Sequence, residues 1–425
     1  MRALLLLIAT SLSAAEPYYG VSAVRAPLLW HVTRGAGVKI AIIDTGIDAA
    51  HPALAATYRG GYDFVHNDTV PDDEATTDSH GTFVAGVIAQ VAPEAEVFML
   101  KIYARDNSFE TKNLVRAIDW AIAHDVDVIN MSFRMTAQLS DARSAIERAE
   151  RAGIVVVAAA GNDAGPVDFP AAFDLVIAVG AIDNVLTTAP FSNRGRELDV
   201  VAPGVDIYSA AVHGTGLVAS LIDGDDTVIG TSIGGTRSGD VSGLLIDCGI
   251  GRLDELPLQL SGNIAMVTRD AAISFGSALG NVYRAGASAI VVINDEPRFY
   301  YTNANPPGVL PPAVSLASSD VARLTPGHTV RVISALGDYR FSYGTSFASP
   351  HVAAVAALLR ALAPDATPTQ IRNAMYFSAR DAGVTGRDDE YGSGIVDAYA
   401  AAQLLAPEKL PPPPATPRRR TAAAQ

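Results

Sequence analysis

"VKIAIIDTGID", residues 38–48, is apolar at nearly every position of its first half and ends on an acid before a glycine turn. A strand with one wet face alternates apolar and polar residues, whereas a run without alternation is covered on both faces. The same signature returns in "EVFMLKIY" (96–103), "VDVINMSF" (126–133), "IVVVAAAGN" (154–162) and "LVIAVGAI" (175–182). Between them, "NLVRAIDWAIAHD" (113–125) carries apolar residues at helical spacing, and "ARSAIERAERAG" (142–153) reads as a helix closed by Gly153. Strands alternating with helices predict an α/β domain, a mainly parallel sheet with helices on both faces. Functional residues in such sheets gather at the carboxyl ends of strands, where Asp44, Ser132 and Asn162 fall.

The pattern changes after Ala210. Residues 215–336 hold short strands, glycine-rich turns and a β–α–β unit of their own: "NIAMVTRD" (263–270), "SFGSALGNVYRAGA" (274–287) and "SAIVVIND" (288–295). This reads as a smaller α+β domain inserted into the first, which then comprises residues 16–214 and 337–405. The parent pattern resumes at "FSYGTSFASPHVAAVAALLRAL" (341–362), with a final helix around "TPTQIRNAMYF" (367–377). Residues 406–425, with a proline run and an arginine triplet, are expected to form a disordered tail. Residues 1–15, "MRALLLLIATSLSAA", read as a secretory signal with a basic start, an apolar run too short to span a bilayer, and a small-residue cleavage site. The mature protein is therefore expected to be secreted or periplasmic, with no membrane attachment after cleavage.

The 425 residues are 49% apolar and 18% charged, enough for ample core, and the net charge of −14 argues against nucleic acid as a partner. Cys248 is the only cysteine, so no disulfide forms within one chain, and its apolar flanks mark it as a packed small hydrophobe.

Three polar residues stand out against this background. Asp44 ends a buried strand, His80 opens a small-residue helix in "DSHGTFVAG" (78–86), and Ser346 stands at the mouth of an alanine-rich helix in "YGTSFASPHVAA" (343–354). Singly they read as a turn residue, a structural histidine and a helix cap. Together they supply what a serine nucleophile needs: an imidazole to take its proton and a carboxylate to hold that imidazole.

The motifs "DTGID" (44–48), "HGTFVAG" (80–86), "VINMSF" (128–133), "VVVAAAGN" (155–162) and "GTSFASPHVA" (344–353) follow in the order that resembles the subtilisin-like serine proteases, the peptidase S8 or subtilase family. The resemblance covers residues 22–210 and 337–403. It implies a subtilisin-like three-layer fold, with Asp44 orienting, His80 as general base and acid, and Ser346 attacking the peptide carbonyl. It also implies an oxyanion hole made by Asn162 and the backbone N–H at Ser346. Gly81, Ala85 and Gly86 would let the His80 helix pack closely, Gly344 would clear space for substrate, and Pro350 is expected in the first turn of its helix.

For substrate binding, the resemblance points to Ser132, Phe133 and Arg134 presenting backbone to an extended peptide. Relatives read "SLGG" where this chain has "SFRM" (132–135), so Arg134 and Met135 would narrow or charge the groove, and Phe109 would lie on its opposite edge. Asp163 and Asp168 are expected at the rim and floor of the primary specificity pocket, where a buried Asp would favour Lys or Arg. A family-type calcium site is expected to be absent, because Ala53 replaces an aspartate ligand and the connection after the His80 helix is short; other cation sites are not legible. Residues 240–332 resemble a protease-associated (PA) domain, which would restrict access or bind substrate. The catalytic domain is expected to begin at Trp30, leaving no room for an inhibitory pro-domain.

These readings converge on a secreted, monomeric serine endopeptidase acting on proteins or peptides without a cofactor. The alternative is a catalytically silent scaffold that binds peptides or partners through the groove and the insert. An esterase with the same triad lacks its G-x-S-x-G elbow here.

Overall fold

The first apolar run forms strand β1 (Lys39–Asp44), and its surroundings explain the missing polar positions. It lies in the middle of a seven-stranded sheet with β2 (Tyr58–Asp63), β3 (Glu96–Lys101), β4 (Val128–Met131), β5 (Val155–Ala159), β6 (Val176–Ile182) and β7 (Val200–Pro203). The order is β2-β3-β1-β4-β5-β6-β7, and every pair is parallel. The computed structural model describes residues 18–73, 79–135, 139–295 and 310–410.

Two cores flank this sheet. Ile40 and Ile42 point into one, with Phe83 and Val87 of the helix His80–Val91 and Val352 and Val355 of the helix Thr345–Leu362. Ala41 and Ile43 point into the other, with Leu114 and Ile118 of the helix Thr111–Ala123 and Ala145 and Ile146 of the helix Ser140–Arg151. Successive residues of one strand serve opposite cores, so neither face tolerates a charge. Each isoleucine buried this way contributes about 1.5–3 kcal/mol. The helix Thr345–Leu362 is long and apolar enough to cross a membrane, yet 89% of it is buried inside the fold, which accounts for its composition.

Strands β8 (Ile207–Ala210) and β16 (Tyr339–Ser342) pair antiparallel and bracket the inserted region. Between them, β9 (Gly216–Asp223), β10 (Asp226–Ser232), β11 (Gly239–Asp247), β12 (Ile264–Thr268), β13 (Ala289–Ile293), β14 (Ala313–Leu316) and β15 (Thr329–Gly337) close into a barrel. Its strands again serve two cores: Ile264 and Met266 fill the interior, while Ala265 and Val267 pack outward under the helix Phe275–Arg284. Cys248 belongs to the outer core, and burial pushes its thiol up to about 11, as suits a packing residue.

Three local expectations need correction, and one strand was not anticipated. The core begins before Trp30: the helix Tyr19–Ala23 buries Val21, Val24 and Leu29 are fully enclosed, and Tyr19 Oη donates to the Val205 carbonyl. The tail expected from residue 406 starts too early, because Ala406 and Leu410 are buried and Lys409 Nζ donates to the Leu362 carbonyl. Strand β2, "YRGGYD", sits at the sheet edge with a register shift and mixed exposure, so it has no periodic signature. A further helix, Ala398–Leu405, follows the one expected last. The signal reading (1–15) and the proline and arginine runs after Leu410 lie outside the described residues.

Candidate active site

Asp44 sits where β1 ends, with the carboxylate almost fully buried. Its Oδ1 accepts from His80 Nδ1 at 2.7 Å and from the Thr45 amide at 2.8 Å, while Oδ2 is buried without a hydrogen-bond partner among the described residues. His80 is the first residue of its helix, presented by Ser79 in a left-handed conformation (φ 41°) that is rare outside glycine. The close approach of that helix to the β1 turn requires glycine next: a Cβ on Gly81 would fall 2.2 Å from the Gly46 carbonyl oxygen.

Asp73, which no motif singled out, ties these two elements together. Its Oδ1 accepts from Thr45 Oγ1 (3.1 Å), and its Oδ2 accepts from the Thr82 amide (3.1 Å) and hydroxyl (2.8 Å). Burial raises its carboxyl above the ordinary range against these hydrogen bonds, and the charge of Asp44 adds to the rise. Its position in the sequence reveals nothing of this, because the network is tertiary.

Ser346 is the second residue of the helix Thr345–Leu362, after Gly344, whose φ of 145° an L side chain rarely adopts. Pro350 is the sixth helical residue, not a first-turn residue as expected from sequence. Its absent N–H is the one that would have bonded the Ser346 carbonyl. Ser132 supplies the replacement: its hydroxyl donates to Ser346 O at 2.7 Å, beside Ser349 Oγ (2.9 Å) and Asn130 Nδ2 (2.9 Å). The side chain of Ser132 therefore braces the backbone of Ser346 from below.

Asn162 follows β5. Its Oδ1 accepts from the Thr345 amide (2.8 Å) and hydroxyl (2.9 Å). An amide N–H can only donate, so these bonds fix which end of the carboxamide is oxygen. The Nδ2 donors are thereby turned to the other side, 3.5 Å from where a Cβ of Gly344 would stand. Thr345 Oγ1 also accepts from the Gly161 amide (3.1 Å), so one buried hydroxyl joins the two segments.

Asp44, His80, Ser132, Phe133, Arg134, Gly161, Asn162 and Ser346 line a single cleft of about 250 Å³, together with Tyr103 and Asn107. Phe133 is buried against Phe109 (5.2 Å between rings) and Tyr103 (6.0 Å), which form an apolar wall. Burial raises the Tyr103 phenol, and the Asp44 charge adds to it. Asp168 is not a lone buried acid: its side chain is 25% exposed, its Oδ2 accepts from Asn193 Nδ2 (3.1 Å), and Arg134 Nη1 lies 3.7 Å away. The same guanidinium bonds Asp163 Oδ2. Ala53 lies in a turn where its amide donates to His51 Nδ1, and four residues connect the His80 helix to β3. Among the described residues, no three His, Cys, Asp or Glu side chains converge to hold a metal.

The model of the subtilase family, Peptidase S8, matches residues 35–236 and 310–394. Subtilisin E of Bacillus subtilis (strain 168) is 40% identical over 212 residues, 46% of this chain and 55% of that protein. Subtilisin of Bacillus pumilus is 39% identical over 212 residues, covering 76% of its own length. The match thus spans about half the length of the first of these relatives. Among solved structures, the psychrophilic subtilisin-like protease of the Antarctic psychrotroph Pseudoalteromonas sp. AS-11 superimposes with a TM-score of 0.79 at 25% identity, over 93% of this chain and 99% of that one. A lanthipeptide protease shares the fold at a TM-score of 0.58 and 20% identity, over 92% of this chain and 95% of that one.

Proposed function

The chain belongs to the subtilase family, and from that premise we propose that it is a serine endopeptidase that cleaves proteins or peptides through an acyl-enzyme. The observation that carries this reading is the 2.7 Å contact between Asp44 and His80 in the same cleft as Ser346 and Asn162. With the Asp44 carboxylate accepting at Nδ1–H, the lone pair of His80 is left on Nε2, the atom that must take the Ser346 proton.

In the first step Ser346 Oγ bonds to the peptide carbonyl carbon as its proton passes to His80 Nε2. The carbonyl oxygen gains negative charge and accepts from Asn162 Nδ2 and the backbone N–H at Ser346, at the positive end of an 18-residue helix. The C–N bond then breaks, and the imidazolium gives its proton to the departing amine. Water repeats the sequence on the ester, restoring Ser346. Asp44 stays ionised throughout, stabilising the imidazolium that forms twice per turnover.

Residues 1–15 direct export, and residues 215–336 act as a PA-like domain that limits which substrates reach the cleft. Support for the latter is local: Thr215, where the chain enters the barrel, has its hydroxyl 3.1 Å from Ser79, the residue before His80. A folded protein larger than a peptide should therefore be cut far more slowly than its unfolded form; equal rates would remove the gating role.

The central test is Ser346→Ala. It should abolish both casein hydrolysis and labelling by a fluorophosphonate, with the fold unchanged by circular dichroism. Wild-type protein that is folded yet neither labels nor cleaves would be a binding scaffold instead.

A further inference from the structure

We propose that Arg134 is a built-in competitor for the substrate's side chain, an internal stand-in for a basic residue before the scissile bond. This inference rests on the peptidase reading above. Arg134 follows Ser132 and Phe133 on one wall of the cleft, whereas Asp163 and Asp168 follow Asn162 on the facing segment. The guanidinium crosses between them, bonding Asp163 Oδ2 and lying 3.7 Å from Asp168 Oδ2.

The carboxylate of Asp168 stands beside the cleft floor. Its Oδ2 lies 2.4 Å from where a Cβ of the cleft-lining Gly161 would be, and Asn193 Nδ2 holds it at 3.1 Å. Two carboxylates thus share one intrinsic cation, leaving the subsite with one net negative charge. Its chemistry selects a second cation and repels an acid.

Arg134 and Asp163 are each more than half exposed, so the bridge between them is weakly held and can be exchanged. A lysine or arginine of the substrate must take Asp168 from Arg134, whereas a leucine need not disturb the bridge. An exposed pair of this kind is worth at most a factor of about five in an equilibrium. That factor is what the internal arginine withholds from basic substrates.

The test uses the full-length protein and four fluorogenic peptides that differ only in the residue before the cut: Lys, Arg, Leu or Glu. Arg134→Gln, which keeps length but removes charge, should raise the Lys-to-Leu ratio of kcat/KM about fivefold and lower the Glu-to-Leu ratio. Arg134→Lys, which keeps the charge, should leave both ratios near their wild-type values. Asp168→Asn should abolish any gain for Lys and Arg, alone or combined with Arg134→Gln. Opposite movements for Lys and Glu are a signature of charge that altered packing would not produce. Hydrolysis with both ratios unchanged in Arg134→Gln, or with Lys and Glu moving together, overturns the inference and leaves the peptidase reading standing. No hydrolysis of any peptide by wild-type protein overturns the peptidase reading, and this inference with it.

Discussion

Ser132→Ala probes the brace beneath Ser346, and Pro350→Ala is its built-in rescue. In the native structure Ser346 O accepts from Ser132 Oγ because Pro350 has no N–H to offer. Removing the hydroxyl leaves a part-buried carbonyl without that donor, which costs about 1–3 kcal/mol. Introducing Pro350→Ala alone adds an N–H to an oxygen that already has one donor and room for a second, so little should change. In the Ser132→Ala background the same substitution restores the missing bond and should return about 1–2 kcal/mol. The bonds of Ser132 to Ser349 and Asn130 are not repaired, so rescue stays partial. The cycle is best measured by urea unfolding in a Ser346→Ala background, which prevents self-digestion and keeps the backbone carbonyl in place. Single and double variants that add within about 0.3–0.5 kcal/mol would refute the reasoning, since independent sites behave that way.

In Asp44→Asn, the amide oxygen can stay in place of Oδ1, serving both His80 and Thr45, with the NH₂ in place of Oδ2, which has no hydrogen-bond partner among the described residues. The imidazole then keeps its tautomer and loses only the carboxylate charge, worth about 4 kcal/mol at an effective dielectric near 20. A fall of about 10³ in kcat with ¹⁵N shifts still reporting Nδ1–H fits; a fall of 10⁴ or more with an Nε2–H tautomer does not. Asn162→Ala should lower kcat by about 10²–10³ with KM nearly constant, the pattern of a donor used only in the transition state; a matching rise in KM would contradict this. His351 is buried, and burial lowers its pKa to about 4 against the Phe347 carbonyl that favours its charged form. The unfolded chain takes up that proton near pH 6.5 and the folded one only near 4. Stability is therefore lost as pH falls across that window, by up to about 3 kcal/mol, and should not fall further from this group below it. Urea titrations should show a shallower acid slope in His351→Gln; equal slopes would exclude the residue.

How far the sequence could be read follows from how local each signal was. The strand β1 was legible because Ile40, Ala41, Ile42 and Ile43 are each buried, and two-sided burial writes itself as an unbroken apolar run. Strand β2 was not, since an edge strand with two glycines carries no period. Asp44, His80, Asn162 and Ser346 announced themselves through short motifs, and all four line one cleft. Asp73 joins distant segments through side-chain bonds, so nothing in its neighbourhood marks it, and Thr345, although inside the Ser346 motif, gave no sign of its bond to the Gly161 amide. Pro350 misled for a related reason: its place in the helix depended on where the helix began, and its compensation came from Ser132, far away in the chain. The charge of "SFRM" was visible, but only the fold reveals that Arg134 meets Asp163 and Asp168.

The pairing of β8 with β16 has a consequence for how this protein can change over time. The two ends of the barrel are stitched side by side, with the Asp338 carboxylate accepting from the Gly214 amide and the Asp338 carbonyl bonded to His51. To the parent fold, everything between them is the loop of a hairpin, and the entropy of closing a loop grows only slowly with its length. Such a cassette can lengthen, shrink or be exchanged while the cleft on the other side of the stitch keeps its registration. The frame that holds the cleft is thus closed by the β8–β16 pair itself, whatever length of chain lies between the two strands.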